Sequence, residues 1–127
     1  MKEINYYRKG QTLVILLTYM LIAIIVTTAS IALVLNSAKG ADKLYQGNNS
    51  LEIAESGAES AMIKLLRDTN YSGETISVGG GQATITVTGI NPKIIHSKGT
   101  INNSTRIIQV TVNTSNNTMT VTSWKEI

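Results

Sequence analysis

LVILLTYMLIAIIVTTASIALVL, residues 13–35, is the stretch that decides the fold. These 23 residues contain no charged side chain, no Pro and no Gly. As a helix rising ~1.5 Å per residue, the segment extends roughly 35 Å, which exceeds the ~30 Å hydrocarbon core of a bilayer. Its four Thr and Ser hydroxyls can bond to carbonyls of the preceding helical turn. We therefore predict one straight membrane-spanning helix.

The charges beside this segment predict its orientation. Three cations and one acid precede it, namely Lys2, Arg8, Lys9 and Glu3, whereas Lys39, Lys43 and Asp42 follow it. Lysine and arginine are enriched on the cytoplasmic side of membrane helices, so the N-terminus is expected inside and about ninety residues outside. A cleaved secretory signal peptide is the alternative. Its apolar core is usually ~7 to 15 residues long, and Ala38-Lys39-Gly40 fits a cleavage site poorly.

Composition limits what the rest of the chain can be. The 127 residues include one Pro, no Phe and no Cys, which leaves room for the helix and one small exported domain. Without Cys there are no disulfides, no thiol catalysis and no cysteine metal site. The net charge of +3 is weak and says little about nucleic acid. We expect no cofactor.

The segment after the membrane helix has the pattern of an amphipathic helix over 39–68. Apolar residues recur at three- and four-residue spacing on one stripe: Leu51, Ala54, Ala58, Ala61, Met62 and Leu65. The small residues of 54–61 would let another backbone approach closely. Asn49 and Glu52 have the spacing of a capping box, so the chain either starts a new helix there or bends at 47–49 within one long helix. We favour the bend.

The remaining residues change to a period of two. Five segments rich in Ile, Val and Thr are predicted strands: 75–78, 82–88, 93–98, 105–114 and 119–124. Gly79-Gly80-Gly81, Asn91-Pro92, Asn102-Asn103 and Asn116-Asn117 separate them as turns. A sheet of this size has little core of its own, and it must therefore lie on the apolar stripe of the helix. We predict an α+β fold in which a long N-terminal helix packs on an antiparallel sheet of four or five strands.

The whole arrangement resembles a type IV pilin or pseudopilin. A short basic leader ends at Gly10, an apolar helix follows at once and continues into an amphipathic half, and a small sheet comes last. The resemblance implies cleavage after Gly10 by a prepilin peptidase, a methylated N-terminus at Gln11, and a helix that bundles with other pilin subunits. The helix residues expected in the membrane and the bundle include Leu13, Ile15, Leu17, Leu21, Ile25 and Leu33.

The chain departs from the family pattern at two positions, and one of them, Ile15, favours a minor subunit. Family members usually begin the mature chain with Phe or Met, where this chain has Gln11, and carry Glu at the fifth mature position, where it has Ile15. That Glu is thought to pair with the N-terminal amine of a neighbouring subunit. It is commonly missing from K-type pseudopilins and PilX-like minor pilins, and residues 54–61 also resemble the PilX-like helix. The resemblance therefore implies a minor or tip-located pilin.

Other candidate sites have ordinary interpretations. Glu52, Glu55 and Glu59 could offer carboxylates to a cation, but a solvated helix edge is the better interpretation. Glu55 lies nearest the apolar stripe, and we predict an orienting ion pair between Glu55 and Arg106. His96 is interpreted as an ordinary strand residue, because no Cys or acidic cluster accompanies it. We expect no metal site, no catalytic residues and no enzyme activity.

The sequence thus predicts a structural protein in four parts: a leader over 1–10, a membrane and filament helix over 11–38, an amphipathic helix over 39–68, and a sheet over 69–127 that forms one unit with 51–68. The chain would first be a single-pass protein of the cytoplasmic membrane and then part of an extracellular filament. A permanently anchored surface binding protein is the alternative. A role in DNA uptake would need a basic patch, for which Lys93, Lys98 and Arg106 are the candidates.

Overall fold

The computed structural model describes the backbone of residues 4–127 and the side chains of residues 10–127. Its elements are α1 (Ile4–Arg67), β1 (Gly73–Val78), β2 (Gly81–Thr88), β3 (Lys93–Ile101), β4 (Ser104–Ser115) and β5 (Thr118–Glu126). One long N-terminal helix packs against a five-stranded antiparallel sheet, so the predicted α+β fold is confirmed. Of the predicted leader, residues 1–3 lie outside the described residues, and so do the side chains of Arg8 and Lys9.

The sheet is a meander in which each strand pairs with the next along the chain. All five predicted strands are present, and each has one to three additional residues at one or both ends. The predicted Gly and Asn turns have the left-handed backbone that such turns require, with φ of 81° at Gly80, 50° at Asn102 and 62° at Asn117. Strand boundaries therefore follow from local turn chemistry.

Two compact units divide the chain, Met1–Ala41 and Asp42–Ile127. In the second unit, one face of α1 packs on one face of the sheet. The hydrophobic core between them consists of Ala54, Ala58, Ala61, Leu65, Ile85, Ile95, Ile108, Val110 and Val112. Strand side chains that alternate with these core residues point to the opposite face of the sheet.

The helix continues without interruption through 47–49, so the alternative of a new helix starting at Asn49 is wrong. Gly47 and Ser50 are buried there, and the Ser50 hydroxyl donates to the Gly47 carbonyl (2.8 Å) and shares a second hydrogen bond with the Ser104 hydroxyl (3.0 Å). Contacts with the sheet thus stabilise a stretch whose residues are individually poor helix formers.

Candidate functional site

The apolar segment of α1 is exposed over its whole circumference. Every Leu, Ile, Val, Met and Tyr from residue 13 to residue 35 has 54% to 72% of its surface exposed. This includes the predicted membrane and bundle residues Leu13, Ile15, Leu17, Leu21, Ile25 and Leu33. The helix is the one element among the described residues that is long and apolar enough to cross a membrane.

The four Thr and Ser side chains within this segment satisfy their hydrogen bonds inside the helix. The hydroxyl groups of Thr18, Thr27, Thr28 and Ser30 donate to backbone carbonyls four residues earlier, at 2.7 to 2.9 Å. The prediction that these groups return to the helix is confirmed. No hydroxyl of the four needs water, so the segment is compatible with hydrocarbon around it.

Gly10 and Gln11, the predicted processing residues, lie within α1 and are exposed. A Cβ atom added to Gly10 would meet no atom within 4 Å. Packing within the described chain therefore does not require glycine at this position. The predicted cleavage after Gly10 stays a prediction.

The helix surface against the sheet contains the six residues predicted from the stripe. Ala54, Ala58, Ala61 and Leu65 are buried, while Leu51 and Met62 are half-buried and pack against the core. The stripe omitted four further buried residues, Gly47, Ser50, Ile53 and Gly57. An apolar stripe cannot identify Gly and Ser as buried, because their burial depends on how closely the sheet approaches.

The helix and the sheet approach each other closely at two glycines, one on α1 and one on β3. A Cβ on Gly57 of α1 would lie 2.8 Å from the Cβ of Ala83 and would overlap the Ser97 hydroxyl. A Cβ on Gly99 of β3 would overlap the helix backbone at Ser50 and Ala54. The helix and the sheet are thus nearly in backbone contact at these two positions.

The predicted ion pair between Glu55 and Arg106 is wrong. Arg106 instead donates to the Glu126 carboxylate (2.6 Å), which β5 places beside it at the edge of the sheet. Its guanidinium lies near Gly47, two helical turns before Glu55. Arg106 does lie on the helix-facing side of the sheet, as the predicted pair required, but its partner is decided by the register between β4 and β5, which the local sequence does not reveal.

A polar cluster that the sequence did not indicate joins the end of α1 to β1. Lys64 forms an ion pair with Glu74, and the Tyr71 hydroxyl donates to the same carboxylate (3.1 Å). The hydrogen bond from Lys64 lowers the pKa of Glu74 below its usual value. Burial, together with the hydrogen bond to Glu74, raises the pKa of Tyr71 to about 12. The cluster fixes the chain where it leaves the helix.

The three cations considered for a nucleic-acid patch do not share a surface. The Lys93 amine donates to the Thr69 carbonyl (2.6 Å), Arg106 is paired with Glu126, and Lys98 is exposed on the opposite side of the sheet. His96 shares a hydrogen bond with the Gln109 side chain (3.2 Å). In the described part of the chain, no three acidic or His side chains are grouped so as to hold a metal ion.

Comparison with protein-family models, with curated proteins and with solved structures gave no match.

Proposed function

We propose that this chain is a structural subunit of a type IV pilin-like or pseudopilin-like filament, matured by a prepilin peptidase. Its N-terminal helix first holds it in a membrane, with the C-terminal unit outside, and later packs among the helices of other subunits. The observation that carries the proposal is the apolar surface of residues 13–35. Fourteen of these residues are Leu, Ile or Val, and each contributes ~1.5 to 3 kcal/mol when removed from water, so this surface must be covered.

Lipid and a bundle of like helices are the two environments that cover a helix on every side. A permanently anchored surface protein, with the sheet displayed to a ligand, needs only the lipid. The filament proposal additionally requires release of the leader, because Gly10 stands directly before the segment at the position where the family is cut. Processing therefore separates the two functions.

Mass spectrometry of the chain, produced with and without an active prepilin peptidase, tests the proposal. With the peptidase, the mature chain should begin at Gln11 and carry a methyl group, and Gly10→Leu should retain the leader while still entering the membrane. A Cβ atom at Gly10 has open space around it in the described chain, so we do not expect a loss of processing in this variant to be a folding defect. A wild-type chain that keeps residues 1–10 beside an active peptidase would support the anchored alternative.

The side chain of Ile15 favours a scarce subunit located at the filament tip. A subunit entering a bundle normally offers an acid to the amine of the subunit already there, and Ile15 has no such group. A first subunit needs none. Immunogold labelling of isolated filaments should therefore mark ends, whereas uniform labelling of the shaft would exclude the tip assignment.

A further inference from the structure

The second unit has a marked asymmetry of charge. Residues 75–125 contain no Asp or Glu at all, although they include Lys93, Lys98, Arg106 and Lys125. Of the eight acidic residues, six lie between Asp42 and Glu74 and one is Glu126. Because Glu74 and Glu126 are held by Lys64 and Arg106, neither carboxylate is available to the cations elsewhere on the sheet.

The side of the sheet that faces away from α1 has no Asp or Glu side chain. We call this side the outer face. It consists of the strand residues that alternate with the buried core residues, and most of them carry hydroxyl or amide groups, including Thr84, Thr86, Gln109 and Thr111. Such a surface offers many hydrogen bonds and no acidic side chain.

Four nitrogen-bearing side chains lie close together on the outer face. The register aligns His96, Gln109 and Lys125 in one row across β3, β4 and β5, and Lys98 lies two residues from His96 on the same strand. With strands ~4.8 Å apart, the Cα atoms of Lys98 and Lys125 are separated by about 12 Å. Neither lysine forms an ion pair within the described chain, so both charges are available to a partner.

We propose that the outer face binds an anionic polysaccharide, with Lys98 and Lys125 on its acidic groups and the hydroxyl and amide side chains on its sugar hydroxyls. Charge complementarity selects the acidic polymer, and the excess of neutral donors and acceptors over cations selects one rich in hydroxyl groups. The proposal goes beyond filament formation. It requires neither cleavage nor assembly, so it can fail while the proposed function stands, and the reverse is also true.

Nucleic acid fits the outer face less well, for three reasons. Duplex binders typically neutralise several phosphates, whereas this face offers two lysines. Its only nearby arginine, Arg106, is turned to the other side and bound to Glu126, so the side chain best suited to bidentate phosphate contacts is absent here. Single strands bind by stacking bases on aromatic rings, and the one Trp, Trp124, lies opposite Val110 on the core side.

The test uses the full chain in nonionic detergent micelles and measures its affinity for polygalacturonate by biolayer interferometry at low salt. Neutral dextran and duplex DNA serve as comparison polymers. The test variant is the double substitution Lys98→Gln with Lys125→Gln. Its matched control is Lys39→Gln with Lys43→Gln, which removes the same charge from exposed helix positions outside the sheet.

We expect binding of polygalacturonate that weakens as salt rises, little binding of dextran, and a loss of roughly fivefold to tenfold in the test variant, as two exposed ion pairs imply. The control should bind like the wild type. Equal loss in both variants, equal binding of dextran, or no binding would each overturn the proposal. Tighter binding of duplex DNA would overturn the choice of polymer. If the test variant instead loses only self-association, the face is a contact between copies and the proposal is again overturned.

Discussion

Single apolar side chains are exposed to a similar degree in the first part of α1, residues 13–35, and in its second part, residues 39–67, but their surroundings differ. Leu21, in the first part, has 54% of its surface exposed, and Ile63, in the second, has 56%. Around Leu21 no position of the helix carries a charged side chain, whereas around Ile63 the helix also carries Glu59, Ser60 and Arg67. Exposure of one side chain therefore does not identify a membrane segment. The circumference around it does.

The two parts also differ in the size of the residues that make their contacts. Residues 13–35 are mostly large, which suits contact with flexible lipid chains or interdigitation with other helices. Between 47 and 61 the buried positions are mostly Gly, Ser and Ala, which brings the helix backbone close to β2 and β3. Large side chains there would push the sheet away. One helix is thus built for a variable environment in its first part and for one fixed partner in its second.

The largest expected effect tests the membrane segment. Fourteen Leu, Ile and Val residues at about −0.3 to −0.6 kcal/mol each favour insertion by roughly 6 kcal/mol, and each central Lys opposes it by about 3. One lysine should therefore be tolerated. The triple variant Leu17→Lys, Leu21→Lys and Ile25→Lys should not integrate into the membrane. Alkaline carbonate should therefore extract this variant from membranes and leave the wild type in them.

The matched control places three lysines on equally exposed apolar positions of the second part, Leu44, Ile63 and Leu66. This variant should remain in the membrane fraction. If both triple variants are extracted alike, the proposed difference between the two parts of the helix is wrong.

A smaller effect tests the close contact of the second part. Gly→Ala within a helix normally stabilises by about 0.5 to 1 kcal/mol. Gly40→Ala should follow this rule, since a Cβ there meets nothing within 4 Å. Gly57→Ala should instead destabilise by about 1 to 3 kcal/mol, because the new methyl group overlaps Ala83 and Ser97. Urea unfolding in detergent micelles, followed through Trp124 fluorescence, would measure the stability of both variants. Equal midpoints for Gly57→Ala and Gly40→Ala would mean that the helix can move away from the sheet without cost.

Local signals in the sequence were enough to predict the fold. The uninterrupted apolar run identified the first part of α1. The three- and four-residue spacing of apolar residues identified the buried stripe in its second part, and Gly and Asn turns marked the ends of strands. The same signals failed where geometry between elements decides. Gly57 is buried because β2 approaches it, and the partner of Arg106 is Glu126 because β5 pairs with β4 in one particular register.

The candidate sites divide in the same way. The hydroxyl groups of Thr18 and Ser30 bond within their own helix, so the sequence could predict their partners. The cluster of Lys64, Tyr71 and Glu74 joins a helix end to a strand across a turn, and no periodicity indicates it. The outer face likewise exists only once the register aligns His96 with Lys125.

The smallest expected effect concerns that cluster and separates the two parts of the chain by pH. Residues 13–35 contain no Asp, Glu, His, Lys or Arg, so acid should not change membrane integration. In the second unit, the pKa of Glu74 is lower when folded than when unfolded, because Lys64 bonds to its carboxylate. Its contribution to the free energy of unfolding is therefore complete above the unfolded pKa of about 4.3 and is lost as pH falls through the folded value.

The urea midpoint of the wild type should fall further between pH 5 and pH 3 than that of Glu74→Gln. Glu52→Gln removes an exposed carboxylate without an ion pair in the described chain, so it should keep the wild-type pH dependence. If Glu74→Gln keeps it as well, the Lys64 contact does not act on folding, and the end of the helix is held by its apolar contacts alone.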